Sequence, residues 1–317
     1  MIKGTYIFYE DGVEICRSEN IITKFGKRFL TNYIAGNVDF QLKDIALGIA
    51  SSSDYAVSAS NSRLGFEFYR LPVSYGSIDI QSDGLGGFTY ATVYKTTIPQ
   101  DVAGIVKEVG LFPGKRTSIN NYDDKFLVDF EDNTLWTKST DGVTSPDIVT
   151  TNSPRIGSYL VKMTTSGSSS SIQYNTNVNN LDISGYSVFD TLSLAFYEGD
   201  ANLGSIKVRF YSSATDYYEA SFTGDGSAGN RIKSVALSTM LNNPVNTPDA
   251  TAISKIGIIV TSDSGGATST YFDGLRINDE DTFDPSYGLI SRSALTTPLT
   301  KLAGRQVDIE YRLDLSF

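Results

Sequence analysis

The chain has 317 residues, 40% of them hydrophobic and 20% charged, which is enough apolar material to bury a core and too much for a disordered chain. Its formal net charge is −10, so its surface repels phosphate backbones and anionic lipids, and it has no basic run to offset that; neither nucleic acid nor membrane insertion is expected. It contains no histidine and one cysteine, Cys16, which excludes Ser-His-Asp and Cys-His catalysis, His-ligated zinc, intrachain disulfides and CxxC redox chemistry.

The predicted elements are almost all strands. Tyr and Phe number 19 and 17, with Ser, Thr, Asn and Gly between them, a profile typical of β-rich proteins. Residues 4–9 and 13–16 flank Glu10-Asp11-Gly12, a tight hairpin signal. No signal-peptide pattern precedes them, so folding in a cytoplasm is the expectation. In "NIITKFGKRFLTNYIAG", Ile22, Phe25, Phe29, Leu30, Tyr33 and Ile34 recur at helical spacing, with Lys24, Lys27 and Arg28 on the other face; this predicts one amphipathic helix closed by Gly36. Strands follow at 44–52, 66–80 and 88–99. The Gly-rich "QSDGLGG" between the last two joins strand to strand and is read as a turn, not a phosphate loop.

The next strand ends in "IVKEVGLF". Val106, Glu108, Gly110 and Phe112 share one face of it. A carboxylate among apolar neighbours is either paired or at a solvated edge; Arg292 and Arg70 are its candidate partners in an ion pair. From residue 117 the composition becomes rich in Ser, Thr, Asn and Gly. Strands of five to eight residues recur at the spacing of a sandwich until about residue 286. "LISRSALTTPLTKLAGRQVDIEYRLDLSF" then returns to the character of residues 1–116. The expected fold is mainly β: a small α+β domain of residues 1–118 plus 287–317, a sheet with one helix, and a β-sandwich of residues 119–286 inserted in it. "IVKEVGLF" should pair antiparallel with "GLISRSAL", with the sandwich where a hairpin turn would be.

The outer pieces, through "FGKRFLTNYIAG", "DIALGIASSS", "FEFYRLPVS", "TTIPQDVAGIVKEVGLF" and the final segment, resemble the tail-collar or tail-fibre N-terminal domains of tailed bacteriophages. That resemblance implies a virion structural protein: a tail or baseplate adaptor, a short fibre or a decoration protein. Its partners would be other virion proteins, and it would form a trimer or ring. The inner segment, through "VDFEDNTLWTKS", "RIGSYLVKMT", "YYEASF" and "ISKIGIIVTSDSGGATSTYFDGLRIND", resembles the jelly-roll carbohydrate-binding modules. That resemblance implies a structural calcium held by Glu131 and Asp273 with help from Asp129; the residues alone also read as solvated strand-end acids.

Binding of a host-surface polysaccharide would need an aromatic platform. The candidates are Trp136, Tyr211, Tyr217 and Tyr218, with Trp136 also reading as core. Glycoside hydrolysis needs only two carboxylates, and Asp123-Asp124, Glu131-Asp132 and Asp279-Glu280-Asp281 supply acids, but all lie in linkers or at strand ends. The expectation is a binding protein, not an enzyme.

Overall fold

The computed structural model describes residues 2–36, 42, 44–82, 88–113, 125–152, 154–186, 190–278 and 288–316. The chain divides into two compact units, Met1–Thr117 with Thr282–Phe317, and Ser118–Asp281. The protein is mainly β, with antiparallel sheets.

The first part of the outer unit carries β1 (Ile2–Glu10), β2 (Val13–Glu19), β3 (Ile21–Ile22), helix α1 (Lys24–Ile34), β4 (Asp44–Gly48), β5 (Glu67–Pro72), β6 (Ser74–Ser82), β7 (Phe88–Ile98) and β8 (Gly104–Phe112). The second unit follows with β9 (Lys125–Val128), β10 (Thr137–Lys138), β11 (Asp147–Val149), β12 (Leu160–Thr164), β13 (Ser171–Leu181), β14 (Thr191–Glu198), β15 (Leu203–Tyr211), β16 (Tyr217–Thr223), β17 (Gly229–Ala236), α2 (Leu237–Leu241), β18 (Pro244–Val245), β19 (Ile253–Ser262) and β20 (Ser269–Asn278). The chain then re-enters the outer unit as β21 (Ser291–Lys301) and β22 (Val307–Ser316).

The single sheet expected beside the helix is two five-stranded sheets, ordered β2-β1-β22-β7-β6 and β3-β21-β8-β4-β5. They enclose one core that includes Tyr6, Phe8, Ile309 and Tyr311 from the first, Ile45, Leu47, Val106 and Val109 from the second, and Phe29 from α1. Asp11 and Gly12 turn the first hairpin with φ of 51° and 77°, the left-handed pair that a two-residue turn matching strand twist requires. The helix is shorter than its apolar pattern. Ile21 and Ile22 are extended and pair with Arg292 and Ser291, and the Thr23 hydroxyl caps the helix by accepting from Gly26 N at 2.9 Å. The run expected as one strand over 66–80 breaks after Pro72. Its two halves belong to different sheets, because a proline has no N–H with which to carry the ladder on.

β8 pairs antiparallel with β21, Leu111 opposite Ser291 and Val109 opposite Ser293. The strand is central in its sheet, so its acid is not sheet-edge electrostatics. Glu108 and Arg292 are both fully buried, with Arg292 Nη2 and Nε donating to Oε2 at 2.7 and 2.9 Å. The carboxylate also accepts from Ala50 N, Gly65 N and Phe66 N at 3.3, 3.0 and 2.9 Å. The other guanidinium hydrogens reach Ala56 O, Asn61 Oδ1 and Tyr55 O. Every charge and donor is therefore answered, as a buried pair demands. A Cβ at Gly48 would lie 2.4 Å from Glu108 Oε1, so only glycine leaves room for the carboxylate. Arg70 is not part of this pair. It forms a two-pronged bridge to Glu67 at 2.7 and 2.6 Å and lies 4.0 Å over the Phe112 ring.

The Tyr6 and Tyr311 rings lie 4.8 Å apart in the same core, tilted by 49°, with Tyr6 sharing a hydrogen bond with Ser291 Oγ and Tyr311 accepting from Asn20 Nδ2. Burial pushes the Tyr311 phenol up to about 12 and that of Tyr6 well above its ordinary value. The folded state therefore keeps protons that the unfolded chain releases near pH ~10. This stabilisation is complete below pH ~10 and is lost as pH rises through about 12. Denaturant midpoints measured across that window should fall more steeply for the natural chain than for Tyr6→Phe/Tyr311→Phe. Equal slopes would refute the assignment.

The second unit is a jelly-roll-like sandwich, with sheets ordered β10-β13-β19-β15-β16-β18 and β11-β12-β20-β14-β17, and β9 paired to β20. Period-two alternation sends Ile206, Val208 and Phe210 of β15 and Ile256, Ile258 and Val260 of β19 into its core, against Phe196, Phe272 and Leu275 of the other sheet.

Candidate functional site

That same alternation turns Lys207, Arg209 and Tyr211 of β15 to the outer face of their sheet. Sheet register then places neighbours beside them. Arg209 lies opposite Glu219 and Gly257, Tyr211 lies opposite Tyr217 and Lys255, and Gly257 lies opposite Asn175. Register thus brings residues distant in sequence onto one surface.

The side chains form a connected set. The Tyr211 and Tyr217 rings are 5.1 Å apart and tilted by 52°. The Arg209 guanidinium lies 4.3 Å over Tyr217 and the Lys255 ammonium 4.4 Å over Tyr211, distances at which a cation is attracted to the ring face. Gln173 Nε2 donates to the Tyr211 hydroxyl at 2.9 Å and to Asn175 Oδ1 at 2.8 Å. Arg209 Nε and Lys207 Nζ both reach Glu219, at 2.7 and 2.8 Å. Burial alone would raise the Glu219 carboxyl, but hydrogen bonds from Lys207 and Arg209 outweigh it and hold the group below its usual value. A Cβ at Gly257 would stand 2.8 Å from Asn175 Oδ1 and 2.9 Å from the Tyr211 ring. The bare backbone there lets the ring and the amides converge.

The four aromatic candidates divide. Trp136 is 1% exposed and stacks on Phe130 at 5.2 Å, so it is core. Tyr218 points inward by alternation, and its hydroxyl donates to Pro248 O at 2.9 Å. Tyr211 belongs to the outer face but is 5% exposed, lying beneath its neighbours. Tyr217 is half-buried and keeps an open surface. Sequence reasoning did not single out Arg209, Gln173, Asn175 or Lys255. Their signal is the outward parity of each strand, which becomes a site only when register aligns the strands. It also missed a second aromatic pair on the opposite sheet, Tyr197 and Tyr271, at 5.8 Å edge to face, which has Lys162 5.9 Å from the Tyr271 ring.

The acids expected to hold calcium are engaged otherwise. Asp273 is buried against Arg155, accepting from its Nε at 3.2 Å and from the backbone N–H of Arg155 and Ile156 at 3.1 Å each. Glu131 accepts from Ser158 N and Tyr159 N at 2.9 and 3.1 Å, and Asp129 from Glu131 N. Among the described residues no group of three or more His, Cys, Asp or Glu could hold a metal ion. Calcium takes six to eight oxygens; as placed here these acids accept from N–H donors and a guanidinium and do not form such a cage. Chelation with EDTA should leave the thermal midpoint unchanged; a fall of several degrees would restore the calcium reading.

Asp132 caps a short 3₁₀ turn through Thr134 N and Oγ1. Asp123, Asp124, Asp279, Glu280 and Asp281 lie outside the described residues. In the outer unit, a cavity of about 410 Å³ is lined by residues that include Lys95, Thr97, Asp308 and Glu310. Those groups satisfy each other, Lys95 with Glu310 at 3.3 Å and Thr97 with Asp308 at 2.6 Å.

No family model and no curated protein matches the chain. Solved structures resembling it include a family 11 carbohydrate-binding module from Clostridium thermocellum in complex with a β-1,3-1,4-mixed-linked tetrasaccharide, at 16% identity over 49% of this chain and 95% of that one, TM-score 0.36. A non-crystalline-cellulose-specific carbohydrate-binding module is similar at 15% identity over 49% and 94%, TM-score 0.35. The enzymatically active domain of bacteriophage CBA120 tailspike protein 4 is similar at 12% identity over 47% of this chain and 20% of that one, TM-score 0.31.

Proposed function

We propose that the sandwich is a glycan-binding module and that the outer unit anchors it in a virion, where the module faces the host surface. The observation that carries the glycan reading is the constellation on one sheet face: an accessible Tyr217 ring beside Tyr211, with Arg209, Gln173 and Asn175 fixed by hydrogen bonds within reach. An aromatic surface takes the apolar face of a sugar ring, while amides and a guanidinium meet its hydroxyls. The side chains are held by one another, so little rotamer entropy remains to be lost on binding.

The role is binding without catalysis. Asp273 and Glu131, the described acids at the 155–159 loop, accept from backbone N–H groups and Arg155, which supports a holding role for them over an acid–base one. The virion reading rests on the outer-unit motifs and is supported by the pairing of β8 with β21 across the inserted unit. A map of the intact particle with no density for the outer unit would refute it.

The glycan reading is tested by titrating the whole chain against a panel of bacterial surface polysaccharides. Tyr217→Ala should weaken binding by about tenfold, Tyr271→Ala should leave it intact, and no reducing sugar should be released. The reading fails if Tyr217→Ala binds as well as the natural chain.

A further inference from the structure

The binding face differs in charge from the protein that carries it. The chain as a whole has a net charge of −10, yet the outward rows around Tyr211 and Tyr217 carry Lys207, Arg209 and Lys255 against Glu219. Glu219 is shared by Lys207 and Arg209, and Lys255 forms no ion pair with a carboxylate among the described residues. Its ammonium rests on the Tyr211 ring instead. Asp216, in the β15–β16 turn beside this face, is drawn into its own loop by the Ser213 hydroxyl at 2.7 Å.

Resting on the glycan reading above, we propose that this face recognises a carboxylate-bearing polysaccharide, one built with uronic acids. Lys255 and the Arg209 edge meet the carboxylate, Tyr217 takes the sugar face, and Gln173 and Asn175 take hydroxyls. Three cations are diluted here by two amides and a carboxylate. That mixture matches a chain of alternating hydroxyl and carboxylate groups, whereas a densely charged sulfated polymer or a nucleic acid would meet Glu219 and the acidic remainder of the surface.

The test is calorimetric titration of the full chain with polygalacturonate and alginate, beside neutral mixed-linkage β-glucan and dextran, with dextran sulfate and duplex DNA as further arms. At least one uronate polymer should bind, more weakly as NaCl rises from about 0.05 to about 0.5 M. Lys255→Gln should weaken that binding by about fivefold. Glu219→Gln should tighten it by about threefold, because it removes the carboxylate that opposes the ligand's own charge. Circular dichroism on each variant checks that it is folded. Binding of a neutral glycan alone, lost in Tyr217→Ala but indifferent to Lys255→Gln, would overturn the uronate class and leave the glycan reading standing. Binding of dextran sulfate or DNA alone would also overturn that class. Failure of every polysaccharide would overturn both readings, and loss of binding in Tyr271→Ala instead of Tyr217→Ala would move the site to the opposite sheet and overturn the assignment.

Discussion

Glu108→Ala is expected to unfold the outer unit or bring it close to unfolding. The substitution strands a fully buried guanidinium and three backbone N–H groups, of Ala50, Gly65 and Phe66, that the carboxylate now receives. Removing one partner of a buried pair costs about 3–5 kcal/mol, a large share of the roughly 5–15 kcal/mol that holds a domain together. Arg292→Met should cost a similar amount. Glu108→Leu/Arg292→Met should recover much of the loss, because neither charge then has to be kept from water. Cys16 supplies the reporter. It is the only cysteine, lies on β2 of this unit, and burial raises its thiol, with a further push from Glu14, so the native thiol reacts slowly. The single variants should accelerate its labelling at moderate urea, and the double variant should slow it again. Natural labelling rates in Glu108→Ala would show that the pair is dispensable.

Trp136→Ala should destabilise the sandwich by about 3–5 kcal/mol, the usual range for emptying a large aromatic site, and lower its urea midpoint by about 1–2 M. The cost has two parts. The indole is 1% exposed and fills the core beside Phe130, which in turn stacks on Phe272 at 5.5 Å. Phe130 also sits at φ 58°, a left-handed conformation that an aromatic residue adopts only when its surroundings compel it; the Trp136 stack is one of the contacts that hold it there. Far-UV circular dichroism reads the loss, since Trp136 is the only tryptophan. Trp136→Phe should restore most of the stability and bind glycans like the natural chain, because the indole does not reach the surface. A Trp136→Phe chain that folds but no longer binds would return Trp136 to the ligand site.

Both residues stood out in the sequence, but only in part. An acid in the apolar run of "IVKEVGLF" had to be paired or solvated, and Arg292 and Arg70 were equally available. The choice lies in register, which sets Arg292 one residue pair away from Val109 opposite Ser293 and gives Arg70 its own partner three residues away in Glu67. Trp136 read as core or platform because period-two alternation names two faces without saying which is inside. Tyr217 and Tyr218 show the same limit. One of two adjacent strand residues must face out, and the choice between them depends on which face the other sheet covers.

The sequence by itself determined what depends on near neighbours: the strand-rich character, the Asp11-Gly12 turn, the amphipathic helix, the change of composition near residue 117, and the chemistry excluded by the missing histidines. Turn conformations and alternation are properties of a few consecutive residues, and composition needs no coordinates. Only the tertiary structure decided the two-sheet outer unit, the partner of Glu108, the engagement of Glu131 and Asp273 by backbone N–H groups and Arg155, and the gathering of Arg209, Tyr211, Tyr217, Gln173, Asn175 and Lys255 on one face. Each of these is a contact between separate strands or loops. Glu108 and Arg292 are 184 positions apart, and a slip of one residue in any pairing would turn the side chains of that strand to the opposite face.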